Sequence, residues 1–175
     1  MTEFWTHPLF RIPLRYALIG IFLYGTLFLI LYFLGYNPLV VGRPWDFGFL
    51  LIPLMVFFAT KDFKTNYNKG ELRFWQGMSA GFVTYFVIAI GVALFIYLFL
   101  SVADSSILHG YIEDRMHLLE VSKEQFIAQL GADLFDEQMF KMQQTTALIV
   151  ALDDFWKKLV IGLFLTILIA AVLRK

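Results

Sequence analysis

The chain has 175 residues, of which 59% are hydrophobic and 16% are charged, whereas an ordinary soluble domain has about 25% charged residues. Too little polar surface is available to cover a soluble core, so the composition predicts a single integral membrane domain over 1–175, with the lipid bilayer as a partner. The 14 basic and 14 acidic residues cancel, which argues against a nucleic-acid partner, and the absence of cysteine excludes disulfides, iron–sulfur clusters and cysteine zinc sites.

The first apolar segment predicts a transmembrane helix at about 16–34. It has 19 residues without a charge, and about 20 apolar residues are enough to cross a bilayer. Arg11 and Arg15 precede it, as basic residues precede the apolar part of a secretory signal. The apolar run is too long for a signal and no small-residue cleavage site follows it, so we expect a retained span.

The next two spans differ in how clearly the sequence marks them. At about 45–63, the uncharged part from Phe47 to Thr60 has only 14 residues, so interfacial residues at both ends must complete the span. At about 74–100, no charge occurs from Phe74 to Ala103, a stretch of 30 residues. A straight helix of that length exceeds the hydrocarbon thickness, so we expect this span to tilt or to project beyond the membrane.

A polar segment at about 104–154 follows, and we predict a helical insertion outside the membrane. It contains ten acidic and three basic residues. Ser122 and Gln125 have the spacing of a capping box, which predicts that a helix begins at Ser122. Apolar residues then recur at helical spacing, and Gly131 is expected only to weaken that helix. This apolar stripe, the candidate partner surface, consists of Phe126, Ile127, Leu130 and Leu134.

The fourth span is predicted at about 155–173, with the long side chains of Lys157 and Lys158 snorkelling to the membrane surface. Small residues recur every three or four positions in spans three and four, and this pattern lets helix backbones approach closely. We expect these two spans to pack on each other, with a contact to another protein as the alternative. The predicted helix-packing residues are Gly77, Gly81, Thr84, Gly91, Gly162, Thr166 and Ala170.

The distribution of basic residues predicts the orientation, because Lys and Arg in short loops are retained in the cytoplasm. The first loop has only Arg43, whereas the second loop has four basic residues. Arg11 and Arg15 precede the first span, and two basic residues end the chain. Four spans then place both termini and the second loop in the cytoplasm, and the segment 104–154 outside.

Three stretches carry a family resemblance: "ELRFWQGMSAGFV" at the start of span three, "LFLSVADSSIL" at its end, and "VIGLFLTILIAAVLRK" at the C-terminus. They resemble a family of small bacterial four-span membrane proteins, domain of unknown function 4199. That family typically has an Asp followed by Pro where this chain has Asp104 followed by Ser105. The resemblance implies a Gram-negative inner membrane, which makes the insertion periplasmic, and it implies no reaction or ligand.

No catalytic, cofactor-binding or metal-binding residue is predicted. The uncharged cores of the four predicted spans contain no charged residue, whereas proton pumps, ion-coupled transporters and intramembrane proteases need such groups, or a polar nucleophile with its base, there. His109, Glu113 and His117 share one face of a predicted helix, but they extend over two turns, so one metal ion cannot easily bridge them. We therefore expect a protein that is not an enzyme.

The sequence leaves two functions open for an all-α integral membrane protein with four transmembrane helices and an insertion between helices three and four. The favoured one is a non-enzymatic accessory or scaffold subunit of an inner-membrane complex, whose partner is another membrane protein or a second copy of the chain. It rests on the absence of buried charges, the small-residue stripes and the acidic insertion. The alternative is a small membrane carrier or lipid-handling protein, whose spans, rich in aromatic residues with 20 Phe and 8 Tyr, form an apolar groove.

Overall fold

The computed structural model describes residues 8–40 and 47–174, and the regular structure within these ranges is helical, without a β-strand. Arg43, Lys175 and the first two residues of the second predicted span lie outside the described residues. In chain order the described helices are α1 (Pro8–Phe33), α2 (Phe47–Asp62), α3 (Phe74–Leu98), α4 (Ser106–Val121), α5 (Lys123–Leu130), α6 (Ala132–Gln143) and α7 (Ala147–Leu173). Two of them continue as single π-helical turns, α2 through Phe63–Tyr67 and α3 through Phe99–Ala103.

Within the described residues, three helices are long and apolar enough to cross a membrane: α1, α3 with its π-helical turn, and α7. Large apolar side chains cover their outward faces, where Phe22 is 73%, Leu94 55% and Phe164 64% exposed. Such a surface is unfavourable in water but suits lipid. The three helices therefore indicate a multi-pass membrane protein.

α3 lies at the centre of a bundle and packs against α1, α2 and α7, while α2 also contacts α1 and α7. Many of the most deeply buried apolar side chains belong to α2 and α3 and share one apolar core. Ile52 and Val56 of α2, with Ile88 and Val92 of α3, are at most 1% exposed. The long third helix is thus the element against which the others are positioned.

One end of the bundle carries the basic loop. The Lys64 Nζ donates a hydrogen bond of 2.9 Å to the Leu173 carbonyl, which places a positive charge on the free carbonyls that end α7. The Gln76 side-chain oxygen accepts from the Arg73 backbone N–H and from the Asn68 side-chain amide, both at 3.0 Å, and so closes the turn into α3. The basic loop and the end of α7 therefore lie together.

At the other end, two hydrogen bonds connect the end of α1 and the segment after it to the segment that leads into α4 and to α4 itself. The Tyr32 hydroxyl donates to the Asp104 Oδ2 at 2.9 Å. The Asn37 side-chain amide donates to the Ile107 carbonyl, also at 2.9 Å. The insertion between α3 and α7 therefore starts from a defined position on the bundle.

The helix expected after Ser122 is interrupted in the structure. Gly131 has φ +92° and ψ 161°, a conformation that glycine tolerates and that separates α5 from α6, so the prediction of one continuous helix is wrong. The predicted capping box is also wrong: the Ser122 hydroxyl donates to the Leu118 carbonyl at 2.8 Å. The chain reaches Ser122 directly from α4, so the hydroxyl bonds back to the preceding turn rather than forward. α7 begins at Ala147, which leaves 104–146 between the bundle helices.

Candidate functional site

Several of the predicted helix-packing residues meet along an antiparallel contact between α3 and α7. A Cβ added at Gly77 would lie 2.9 Å from the Ala170 Cβ. One turn further along α3, a Cβ at Gly81 would lie 2.3 Å from the Thr166 Cγ2. Four residues forward on α3 thus correspond to four residues backward on α7, as antiparallel helices require.

At the next turn the glycine lies on α7 and the larger side chain on α3. Gly162 of α7 now makes room for Tyr85 of α3, whose Cγ lies 2.5 Å from the place of a Gly162 Cβ. Thr84 beside it is completely buried, and its hydroxyl donates to the Ala80 carbonyl at 2.9 Å. Two turns of each helix are therefore in close contact, with a glycine at each of these three positions facing a side chain of the other helix.

Gly91 belongs to a different contact. A Cβ at this position would lie 2.3 Å from the Cδ1 of Ile21, which is on α1. Gly20 of α1 contributes to the same contact, since a Cβ there would lie 2.9 Å from the Cδ1 of Ile88 on α3. α3 therefore uses close contacts on two faces, one toward α7 and one toward α1.

A buried ion pair continues the small-residue face of α7. Lys158 lies one turn before Gly162 and is only 3% exposed. It pairs with the Asp154 carboxylate, and its Nζ lies 5.0 Å from the centroid of the Tyr24 ring on α1. The prediction that Lys158 snorkels to the membrane surface is wrong, because its ammonium group ends inside the bundle between a carboxylate and an aromatic face.

A second pair next to it faces outward. The side chains of Lys157 and Asp153 are 56% and 49% exposed, whereas those of Lys158 and Asp154 are 4% and 14% exposed. Both pairs are encoded by "DDFWKK", in which each base follows its acid by four positions. Lys158 also lies four residues before Gly162, so extending the predicted stripe backwards would have assigned it to the buried face.

The sequence-based expectation of a non-enzymatic protein rested in part on the absence of charges inside the bundle. The buried pair removes this argument. Ionisable groups within membrane helices are costly, pair with each other and usually have a role. Lys158 and Asp154, with Tyr24 above the ammonium group, are therefore the candidate polar site of the bundle interior.

The three residues considered as metal ligands lie on α4 and are not brought together. The His109 Nδ1 lies 2.9 Å from the Ser105 carbonyl oxygen, within its own helical turn. In the part of the chain that the structure describes, no group of three His, Asp or Glu side chains is arranged to hold a metal ion. Glu113 and His117 are exposed on the surface of α4.

Asp104 orders the beginning of the insertion. Its Oδ1 accepts the Ser106 backbone N–H at 2.8 Å, and its Oδ2 accepts the Tyr32 hydroxyl. These hydrogen bonds, above all those from Ser106, favour the ionised carboxylate and hold the pKa of Asp104 below its usual value. The hydrogen bond between Tyr32 of α1 and Asp104 therefore favours the charged form of this side chain.

The structure divides the candidate partner surface between α5 and α6. The Phe126 ring meets the buried Phe135 ring at a centroid distance of 5.9 Å, so Phe126 helps to hold α5 on α6, and Ile127 beside it is half-buried. Leu130 and Leu134 are 55% and 42% exposed. Of the four predicted residues, these two form the exposed part.

Three further apolar residues of the insertion are exposed and were not assigned from the sequence. Leu118 is 47%, Val121 73% and Phe140 60% exposed. The capping signal at Ser122 directs attention to the residues after it, whereas Leu118 and Val121 end the preceding helix. What we call the insertion's apolar surface consists of Leu118, Val121, Leu130, Leu134 and Phe140.

A protein-family model described as "Protein of unknown function (DUF4199)" matches residues 15–175. The match extends from α1 to the end of α7 and confirms the resemblance carried by the three sequence stretches. No curated protein and no solved structure matches the chain.

Proposed function

The chain belongs to the DUF4199 family of proteins of unknown function, and we propose that it is a non-enzymatic accessory or scaffold subunit of a membrane protein complex in the bacterial inner membrane. The observation that carries this proposal is the insertion's apolar surface. Its partner is the extracytoplasmic part of another membrane protein.

The proposal includes α2 as a fourth membrane crossing. Leu50, Leu54 and Phe58 follow one another at one-turn intervals and are 54%, 48% and 42% exposed, so the outward face of α2 is apolar. The 16 residues of α2 and the 5 of its π-helical turn together have the length of a span of about 20 residues, with the polar residues after Thr60 at the membrane surface. A helix that packs on the three long apolar helices and exposes such a face is best accommodated in lipid.

Four crossings set the basic loop and the insertion on opposite sides. The hydrogen bond from Lys64 to the Leu173 carbonyl supports this arrangement, because it holds the basic loop and the end of α7 at one end of the bundle. Basic residues in short loops are retained in the cytoplasm. We therefore assign both termini to the cytoplasm and 104–146 to the periplasm.

The insertion exposes more apolar surface than its own packing uses. Tyr111 and Phe135 are its buried residues within α4, α5 and α6, whereas the five members of its apolar surface are 42% to 73% exposed. Apolar side chains that remain exposed outside the bilayer favour association with another surface.

The charge of the insertion indicates which kind of surface it binds. Residues 104–146 include eight acidic and three basic side chains. Anionic lipid repels such a segment, and helices that lie on membranes usually carry a basic polar face. A protein surface with an apolar centre and a rim of Lys and Arg complements both features of the insertion.

Leu130→Asp tests the proposal, because it places a charge in the insertion's apolar surface and leaves the bundle unchanged. We expect a protein that co-purifies with the wild-type chain in mild detergent to be lost. The matched control is Ala128→Asp, which introduces the same charge at an exposed position on another face of α5, and this variant should keep the partner. Partner recovery per folded molecule is measured by quantitative mass spectrometry. Equal recovery of the partner with both variants would show that this surface is not the contact. Recovery of several copies of the chain without another protein would show that the partner is a second copy.

A lateral groove favours a second candidate function, that of a small membrane carrier or lipid-handling protein. The groove has a volume of about 260 Å³, lies between α3 and α7, and is lined by apolar and aromatic side chains that include Leu94, Tyr97, Leu152 and Phe155. Ala93→Phe fills it and should displace a bound acyl chain while partner recovery stays unchanged. Loss of the partner with unchanged lipid content would instead make the groove a docking site for a helix.

A further inference from the structure

A polar cleft opens between the first turns of α1 and the π-helical turn that follows α2. Its volume is about 820 Å³, and it is lined by Arg11, Ile12, Arg15, Asp62, Asn66 and Tyr67. Arg11 and Arg15 are one turn apart on α1, so they project to the same side of the helix. Both are exposed, which makes their guanidinium groups accessible from outside the bundle.

The cleft keeps a net positive charge, because two arginines line it and Asp62 supplies a single carboxylate. Neither arginine forms an ion pair within the described residues, and the carboxylate of Asp62 accepts a hydrogen bond from the Asn66 side-chain amide. Guanidinium groups present planar pairs of N–H donors that match the oxygens of a phosphate. The cleft therefore offers two phosphate-binding groups with nothing in the described chain paired to them.

The face of α1 beyond the cleft is apolar. Leu18, Ile19 and Phe22 follow Arg15 by three, four and seven positions, so they lie on the same side of the helix. They are 57%, 40% and 73% exposed. This arrangement fits a ligand that has a phosphate at one end and apolar chains at the other.

We propose that the cleft binds the phosphate headgroup of an anionic phospholipid, with the acyl chains along the exposed side chains of α1. In the orientation given above, Arg11 and Arg15 lie at the cytoplasmic surface, where anionic lipids create a negative potential. Basic pockets between membrane helices at this depth bind such headgroups. A bound lipid would link α1 to the turn after α2, independently of any partner at the insertion.

Lipid retention by the purified chain tests this proposal. The chain is reconstituted in nanodiscs of phosphatidylcholine and phosphatidylglycerol, extracted into mild detergent and examined by native mass spectrometry. We expect the wild-type chain to retain phosphatidylglycerol in preference to phosphatidylcholine. In Arg11→Gln/Arg15→Gln the affinity should fall about thirtyfold, since each basic residue near an anionic surface contributes about a fivefold factor.

Lys61→Gln/Lys69→Gln is the matched control, because it removes two exposed basic residues from the same end of the bundle without changing the cleft. This variant should retain phosphatidylglycerol as the wild type does. Equal losses in the two double variants would refute a specific site and leave a diffuse attraction. Inorganic phosphate without lipid forms a second arm: stabilisation by phosphate that needs the two arginines, without retention of phosphatidylglycerol, would make the ligand a soluble phosphate ester and the proposal wrong.

Discussion

Replacing Lys158 by methionine tests whether the buried ion pair stabilises the position of α7. Methionine is unbranched and of similar length, so Lys158→Met removes the charge with little change in volume. Lys157→Met makes the same change one residue away, in a pair with the same spacing. The side chain of Lys158 is 4% exposed and that of Lys157 is 56% exposed, so the comparison isolates the effect of burial.

The exposed fractions of the paired side chains determine how much stability each variant is expected to lose. Removing one partner of a buried ion pair costs about 3–5 kcal/mol, because the remaining charge loses its compensation in a poorly solvated site. The Asp154 side chain is 14% exposed and so falls in this class. An exposed pair at four-residue spacing contributes only about 0.3–0.5 kcal/mol. We therefore expect the loss in the free energy of unfolding to be about ten times larger for Lys158→Met than for Lys157→Met.

Unfolding in mixed micelles with an increasing fraction of SDS, followed by circular dichroism, measures both variants. Asp154→Leu/Lys158→Met should regain most of the lost stability, because neither charge of the pair then remains in the bundle interior. Equal losses for the two single variants would refute the reasoning. So would a double variant that loses the sum of its two single changes.

Two further predictions concern the helix contact and the beginning of the insertion. Gly81→Ala should lower the free energy of unfolding by about 1–3 kcal/mol, because its Cβ would lie 2.3 Å from the Thr166 Cγ2. Gly25→Ala is the control and should be tolerated, because its Cβ would lie 3.7 Å from its nearest neighbour. Equal stability of the two variants in the same SDS titration would contradict the close contact. Asp104→Asn should lower the thermal midpoint at neutral pH. The folded-state pKa of Asp104 is lowered, so its stabilisation is present above the usual aspartate pKa and is lost as the pH falls through the depressed value. A midpoint difference from the wild type that stays constant over this pH range would show that the charge of Asp104 does not stabilise its link to α1.

Part of the α3–α7 contact can be read from the sequence, because small residues at four-residue spacing mark where backbones approach. Gly81 and Thr166 carry this pattern and lie in contact. Gly91 carries the same pattern but meets Ile21 on α1. A helix at the centre of a bundle has neighbours on several faces, and spacing alone does not identify which neighbour a face meets.

Other features depend on tertiary packing that local signals do not contain. The uncharged part of the fourth span begins at Leu159, which favours snorkelling of Lys158, but α7 begins at Ala147 and carries Lys158 into the interior. Ser122 has the spacing of a helix cap, yet a cap also requires an extended approach of the chain, and here α4 leads directly into it. Gly131 becomes a break because α5 folds back on α6 through the Phe126 and Phe135 rings.

Both proposals require that the insertion and the cleft at α1 lie on opposite sides of the inner membrane, and cysteine labelling tests this directly. The chain has no cysteine, so each single-cysteine variant reports one position. In intact cells with a permeabilised outer membrane, Glu124→Cys should react with an impermeant maleimide. Thr65→Cys and a cysteine added at the N-terminus should react only after the inner membrane is opened. An N-terminal cysteine that reacts together with Glu124→Cys would contradict the fourth crossing by α2, and a reaction of Thr65→Cys in place of Glu124→Cys would contradict the orientation.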